Sequence, residues 1–329
     1  MSNISVATRC LLPYSFLKGV GAATLRKIAK MPNLLDLCER DIAGNEARVQ
    51  KAIEQPEAWQ RALDEAEYQI QCAHDADARI ISLLDEGYPD LLKTTKDDPC
   101  VLYIKGELSA QQLPSVAIIG TRKPTAHGKI ITERITQYFV DSNCSIVSGL
   151  ALGCDAIAHE TAIKAGGHTV AVLAHGLHMI SPKANHSLAE DILRKNGALL
   201  TEYPFGSGAI PAHFVKRDKT QAGIAQGVIM AQSSVEGGSL HASRAAISYG
   251  RWLAVPCPTD RDLGEAGDLI GANILLTSDR RAEIAELLKC DESSLRNIRV
   301  LRSKEDYHTL LDLSEDRTGH PEANQVPLL

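Results

Sequence analysis

The chain has eight cysteines but no CxxC pair among them. Cys10, Cys38, Cys72, Cys100, Cys144, Cys154, Cys257 and Cys290 are scattered, which excludes the spacing of a zinc ribbon or a disulfide framework. They read as reduced packing residues. No run approaches the roughly 18 apolar residues of a membrane span. The opening MSNISVATRCLLPYSF lacks a basic stretch before its short apolar run, so it does not read as a signal peptide. The expectation is a cytoplasmic protein. There is also no P-loop, no HExxH and no nucleophile elbow. His175 and His178 lie in HGLH with no third ligand nearby in sequence. No metal, redox group or other cofactor is therefore expected.

What is present bounds the size of the core. The 329 residues are 44% hydrophobic, enough for one large core and a smaller domain. The formal net charge is −6. That disfavours nucleic acid globally, but a local basic groove matters more than the total.

Residues 1–78 read as a helical domain. FLKGVGAATLRKIAKM, from Phe16 to Met31, places a Gly-Val-Gly turn between two apolar-periodic segments. Residues 46–78 are rich in Ala, Glu and Gln, which favours helix. The composition then changes. RIISL (79–83) and VLYIK (101–105) read as strands. VAIIG, SIVSG, TVAVL, ALLTE, GVIMA and WLAVP follow, with helical patterns between most of them. Residues 126–141 put Ile130, Ile131, Ile135, Tyr138 and Phe139 on one helical face. NILLTS (273–278) predicts a last strand and RRAEIAELLK (280–289) a closing helix. Such alternation predicts an α/β fold, an extended Rossmann-like parallel sheet covered by helices, over residues 79–290. Residues 291–329 read as an irregular C-terminal tail, and its last sixteen residues as disordered.

Three strand ends carry glycine. Gly120-Thr121-Arg122-Lys123-Pro124 combines a close backbone approach with a helix N-terminus and two full charges. An ordinary turn with two solvated bases is the alternative. Ser148-Gly149-Leu150-Ala151-Leu152-Gly153-Cys154-Asp155 resembles GxGxxG loosely, with spacing wrong for a dinucleotide. Asp155 could be a helix cap, and His159 a packed histidine. Glu236-Gly237-Gly238-Ser239-Leu240 follows the GVIMA strand. In a parallel sheet all three converge on the carboxyl edge, where such folds bind ligands.

His213-Phe214-Val215-Lys216-Arg217-Asp218-Lys219 sets an aromatic beside clustered bases. That suits single-stranded nucleic acid, in which bases stack and phosphates pair. It also suits a solvated helix face. Lys18, Gly19 and Gly21 have helix-hairpin-helix character, fit either for a phosphate contact or for packing alone.

SVAIIGTRKPTAHGK, SIVSGLALGCDAIAHETAIKAGG, TVAVLAHGL, LLTEYPFG and GGSLHASRAA resemble, in order and spacing, the successive blocks of the DNA-processing protein A (DprA/Smf) family. The resemblance covers about residues 80–280, and the N-terminal region is similar in placement to the family's small SAM-like or helix-hairpin-helix-like domain. It implies a homodimer that binds single-stranded DNA in a basic pocket and loads a RecA-like recombinase, and that is not an enzyme. By position it implies phosphate contacts at Gly120, Thr121, Arg122 and the neighbouring Lys123, with Ser148, Gly149, Gly153, Lys216, Arg217, Lys219, Gly238 and Ser239. The basic block departs from the family pattern, with Asp218 in place of an asparagine. The tail after Cys290 is too short for the winged-helix module of many members.

Divergent members of the family neutralise a phosphoribosyltransferase-like toxin in defence loci, which gives an alternative function. A nucleotide-sensing or nucleotide-hydrolysing protein ranks last, because no glutamate follows the glycines of the Gly238 turn. A dimer interface is expected at an edge formed by Ile274, Leu275 and Leu276 with the helix face of Ile284, Leu287 and Leu288.

Overall fold

The computed structural model describes residues 4–108 and 113–315. Five helices come first: α1 (Val6–Leu11), α2 (Ala22–Ala29), α3 (Glu39–Asn45), α4 (Ala47–Ile53) and α5 (Ala58–Asp75). They enclose a core of their own that includes Leu11, Tyr14, Ile28, Ile42 and Val49. Then follow β1 (Ala78–Ser82), α6 (Asp90–Lys93), β2 (Val101–Gly106), β3 (Ser115–Ile119), α7 (Ala126–Asp141), β4 (Ser145–Ser148), α8 (Cys154–Lys164) and β5 (Thr169–Leu173). The chain continues through α9 (His186–Arg194), β6 (Ala198–Thr201), α10 (Pro211–Gly223), β7 (Gly227–Met230), α11 (Leu240–Ser248) and β8 (Trp252–Pro256). It closes with α12 (Asp260–Ala266), α13 (Gly271–Leu276), α14 (Arg281–Leu288), β9 (Ile298–Leu301) and α15 (His308–Glu315).

Among the described residues, nine strands form one sheet in the order β1-β2-β6-β5-β4-β3-β7-β8-β9. Only β2 runs against its neighbours; from β6 to β9 every pairing is parallel. Strands β3 to β8 are buried on both faces, which is why they read as unbroken apolar runs. Alternate residues serve opposite faces. Val116 and Ile118 pack with Ile135 and Phe139 of α7. Ala117 and Ile119 share the other core with Ala222 of α10, Leu240 of α11 and Ile284 of α14. Each large apolar side chain buried this way contributes about 1.5–3 kcal/mol.

The helical domain is fastened to the sheet by polar contacts as well as apolar ones. Ile4 bridges in parallel to Ile80 on β1. Fully buried Gln69 of α5 accepts from the Phe205 N–H at 2.8 Å and donates to its carbonyl at 3.0 Å. Arg26 of α2 donates through Nε to buried Asp98 at 2.6 Å.

Two expectations fail. Residues 273–278 form no strand: they end α13, because Asn273 turns inward and donates to the Ala231 carbonyl while accepting from the Ser233 N–H. Leu276, Ile284 and Leu288 are buried in the chain's own core, and Leu275 and Leu287 pack against it. Of the face expected to pair with a second copy, these five side chains serve the chain's own core, and Ile274 is half-buried. The last strand is β9, inside the segment read as irregular. It pairs with β8 from Leu253↔Ile298 to Pro256↔Leu301. Leu301, Tyr307 and Leu310 complete the core over α7 and α8. Ser314 and Glu315 belong to α15, and the remainder of the stretch read as disordered lies outside the described residues.

Candidate functional site

From β3 the chain adds β4, β5 and β6 on one side, then returns to place β7 on the other. The loops after β3 and β7 therefore part, and a crevice opens at the carboxyl ends of these two neighbouring strands. It is a cleft of about 710 Å³. The turn after β3, the start of α8, one stripe of α10, the loop after β7 and the start of α11 line it.

Small residues fix the turn after β3. A Cβ on Gly120 would lie 2.5 Å from Sγ of Cys154, and one on Gly153 (φ +78°) would strike the Thr121 and Arg122 backbone. The Thr121 N–H donates to the Gln232 carbonyl at 2.8 Å, and the Cys154 N–H donates to the Thr121 carbonyl at 3.1 Å. Thr125 caps α7 by accepting from the Gly128 N–H. Gln232 grips that cap from the β7 side, accepting from Thr125 N–H and donating to its hydroxyl. On this locked turn Arg122 and Lys123 are exposed, and among the described residues neither has an ion-pair partner. The Arg122 guanidinium stands 5.8 Å from the centre of the Phe214 ring.

The basic block does not act as a block. On α10 the cleft is lined by Pro211, Phe214, Val215, Asp218 and Gln221, spaced as one helical stripe, with Arg217 at its flank. Residues 216 and 219 fall outside that stripe. Lys216 pairs with buried Glu202 at 2.5 Å, over the Tyr203 ring. Lys219 pairs with Asp97 at 3.0 Å, where Tyr249 also donates. Those hydrogen bonds outweigh the burial of Asp97 and hold its carboxyl below the ordinary value.

Arg217 reaches the cleft but is already engaged. It is buried, with Nη1 3.7 Å from Asp155 and Nε 3.1 Å from Asp218. Gly149 makes room for it: a Cβ there would overlap the guanidinium. Asp155 is not a helix cap. Its carboxylate accepts from the Gly149 N–H at 3.2 Å and the Ala151 N–H at 3.4 Å. Burial pushes its carboxyl up, although Arg217 opposes this. Burial likewise pushes Asp218 up to about 7, with Arg217 opposing and Asp155 reinforcing.

The other candidates divide. Gly238 and Ser239 line the cleft; a Cβ on Gly238 would meet open space, while Ser239 donates to the Ser233 hydroxyl at 2.7 Å. Ser148 is inside the sheet, donating to the Ile118 carbonyl. Lys18, Gly19 and Gly21 lie in the turn before α2 and do not line the cleft. His159 is buried against Thr169, its pKa lowered to about 3 by burial and then by Arg217. His175 and His178 bond to backbone groups. Among the described residues no group of three His, Cys, Asp or Glu could hold a metal ion. No helix among them is long and apolar enough to cross a membrane. The structure adds Gln232 and Asn273, whose roles depend on partners distant in sequence, and Gln221, which lines the cleft.

Residues 79–282 match the family described as DNA recombination-mediator protein A. The chain belongs to this family. It is 33% identical over 282 residues to the protein Smf of Synechocystis, covering 82% of this chain and 70% of that one. The structure superposes on DNA processing protein A of Streptococcus pneumoniae with a TM-score of 0.68 at 25% identity, covering 93% of this chain and 97% of that one. DNA processing protein A of Helicobacter pylori, described for its single-stranded DNA binding mode, gives a TM-score of 0.57 at 28% identity over 71% of this chain and 96% of that one. The stretch shared with bacterial Smf and DprA proteins spans from 46% to 74% of their length.

Proposed function

We propose that the protein binds single-stranded DNA in the cleft between the ends of β3 and β7, and that it acts without turnover as a recombination mediator. One observation carries this reading: Arg122 and Lys123 stand exposed and, among the described residues, without an ion-pair partner, on a backbone-locked turn beside the ring of Phe214. Fixed cations receive phosphates while an aromatic face receives bases, and neither demands a particular sequence. The cleft is locally basic at this turn although the whole chain carries −6. Membership of the family and the single-stranded DNA binding mode of the Helicobacter protein support the same ligand. A RecA-like recombinase is the protein partner the family name suggests, and a cytoplasmic homodimer is the proposed form. Its interface would lie away from α13 and α14, whose apolar faces serve the core.

The second reading, neutralisation of a phosphoribosyltransferase-like toxin, draws on the engagement of Lys216, Arg217 and Lys219 in internal ion pairs. Those pairs leave fewer cations for phosphate. Titration of a labelled oligo(dT) against the full chain at low and moderate salt separates the two. Saturable binding, weaker for a duplex of equal length, is the expected result. No binding at low salt would refute the DNA reading and favour a protein partner.

A further inference from the structure

We propose that Asp218 is an internal counter-anion that competes with DNA phosphate, so that loading a strand into the cleft requires Asp218 to take up a proton. The proposal rests on the single-strand reading of this cleft and adds a control to it.

The geometry supplies one guanidinium for two carboxylates. Arg217 is flanked by Asp155 at 3.7 Å and Asp218 at 3.1 Å, and its Nη1 also donates to the Val172 carbonyl at 3.4 Å. The two acids differ in what else holds them. Asp155 accepts from two backbone N–H groups, of Gly149 and Ala151, which favour its charged form. Asp218 has no backbone donor of this kind among its described contacts, and it belongs to the stripe of α10 that lines the cleft. Asp155 lines the cleft too, but its side chain is the more deeply buried and is tied to the backbone, so of the pair Asp218 is the acid freer to yield to a phosphate.

Among the described residues, charged and titratable groups face Asp218 from each element around the cleft. Arg217 is on its own helix, Asp155 comes from α8, and Arg122 comes from the turn after β3, where the cationic Lys123 also lines the cleft. From α11, His241 lines the same cleft. Burial, then Arg244, holds His241 below its ordinary value, so it stays neutral near pH 7. Burial pushes the thiol of Cys154, under the turn, up to about 12. Phosphodiesters do not titrate in this range. Burial pushes up both carboxyls, of Asp155 and of Asp218, but Asp155 keeps two backbone donors that favour its anion. That leaves Asp218, pushed up to about 7, as the group assigned the change of charge near neutrality.

An ionised Asp218 opposes phosphate in two ways. It repels the anion directly across a site of low polarity, and it occupies the Nε side of Arg217. Protonation removes both effects and leaves Asp155 as the counter-ion of Arg217. The exchange balances as one proton taken up for one phosphate admitted. Linkage then fixes the sign: above the free carboxyl's pKa, affinity falls as pH rises, by up to about tenfold per pH unit.

The experiment titrates the full-length chain with oligo(dT) at constant ionic strength, from pH about 6 to about 8.5, in the wild type and in Asp218→Asn. The asparagine keeps the shape and removes the charge. The wild type is expected to weaken by up to about tenfold per pH unit above neutrality. The variant should hold its affinity across the range and exceed the wild type at the alkaline end. Calorimetry of the unmodified protein in buffers of different ionisation enthalpy reads the proton directly, whether or not the variant folds. Uptake approaching one proton per site near pH 8 is expected. Wild-type binding that is independent of pH, or a variant that keeps the dependence, overturns the role of Asp218 and leaves the DNA reading intact. Failure of both proteins to bind at every pH overturns the DNA reading and this proposal with it.

Discussion

Gly149 is the seat of Arg217: the space a β-carbon would fill at residue 149 is occupied by the arginine's guanidinium. The glycine directly follows β4 and the arginine sits on α10, so the close approach joins the end of that strand to the helix that lines the cleft. Gly149→Ala must displace a buried cation from two carboxylates. Overpacking of this kind costs about 1–3 kcal/mol. The expected result is a lower urea midpoint together with weaker oligo(dT) binding. A variant with wild-type stability and binding would show that Arg217 has another resting place.

The same triad gives stability a pH signature. The folded carboxyl of Asp218, pushed up to about 7 by burial, lies above the ordinary 3.8. The folded state therefore holds this proton more tightly than the unfolded chain. Its contribution is complete below about 3.8 and is lost as pH rises through about 7. The melting temperature of Asp218→Asn relative to wild type should rise across that window, by at least about 2–4 °C. A gap that stays constant with pH would show that Asp218 titrates normally in the fold.

Gln69 is expected to matter for coupling the helical domain to the sheet. Gln69→Leu keeps the bulk but leaves the buried Phe205 N–H and carbonyl without partners. Each orphaned group costs about 1–3 kcal/mol. Equilibrium unfolding should show the loss, and faster hydrogen exchange at the Phe205 amide should locate it. Unchanged exchange there would mean that the loop is held from elsewhere.

The C-terminal segment should behave as core. Leu310 of α15 is fully buried. Leu310→Ala should cost about 2–5 kcal/mol, measured by denaturant unfolding. The near-zero cost of a change in a loose tail would contradict the placement of α15.

The central strands are legible in the sequence because they are short, wholly apolar and bounded by turns, and α7 spans the 126–141 read from its periodicity. NILLTS misleads because an apolar run that short has no decisive period, and the hydrogen bonds of Asn273 to Ala231 and Ser233 decide for helix. β9 is hidden because Arg296, Arg299 and Arg302 interrupt and flank a four-residue strand that needs β8 to define it. In the site, the glycine turns are legible and the basic block is not. Adjacent bases on a helix diverge by about 100° per residue, and their acidic partners, Asp97, Asp155 and Glu202, come from three separate segments. Only the fold shows which cations remain available.

Whether Arg122 is an available phosphate ligand is tested most directly by the salt dependence of oligo(dT) binding. Each phosphate contact contributes roughly 0.7 to the magnitude of the log–log slope for a single strand. Titrations at several salt concentrations should compare the wild type, Arg122→Ala and the double variant Lys216→Ala with Lys219→Ala. Arg122→Ala should weaken binding to all sequences alike and flatten the slope by roughly 0.7. The double lysine variant should leave the slope nearly unchanged, since both lysines already hold carboxylates. An Arg122→Ala protein with the affinity and slope of the wild type would contradict the assignment of the cleft.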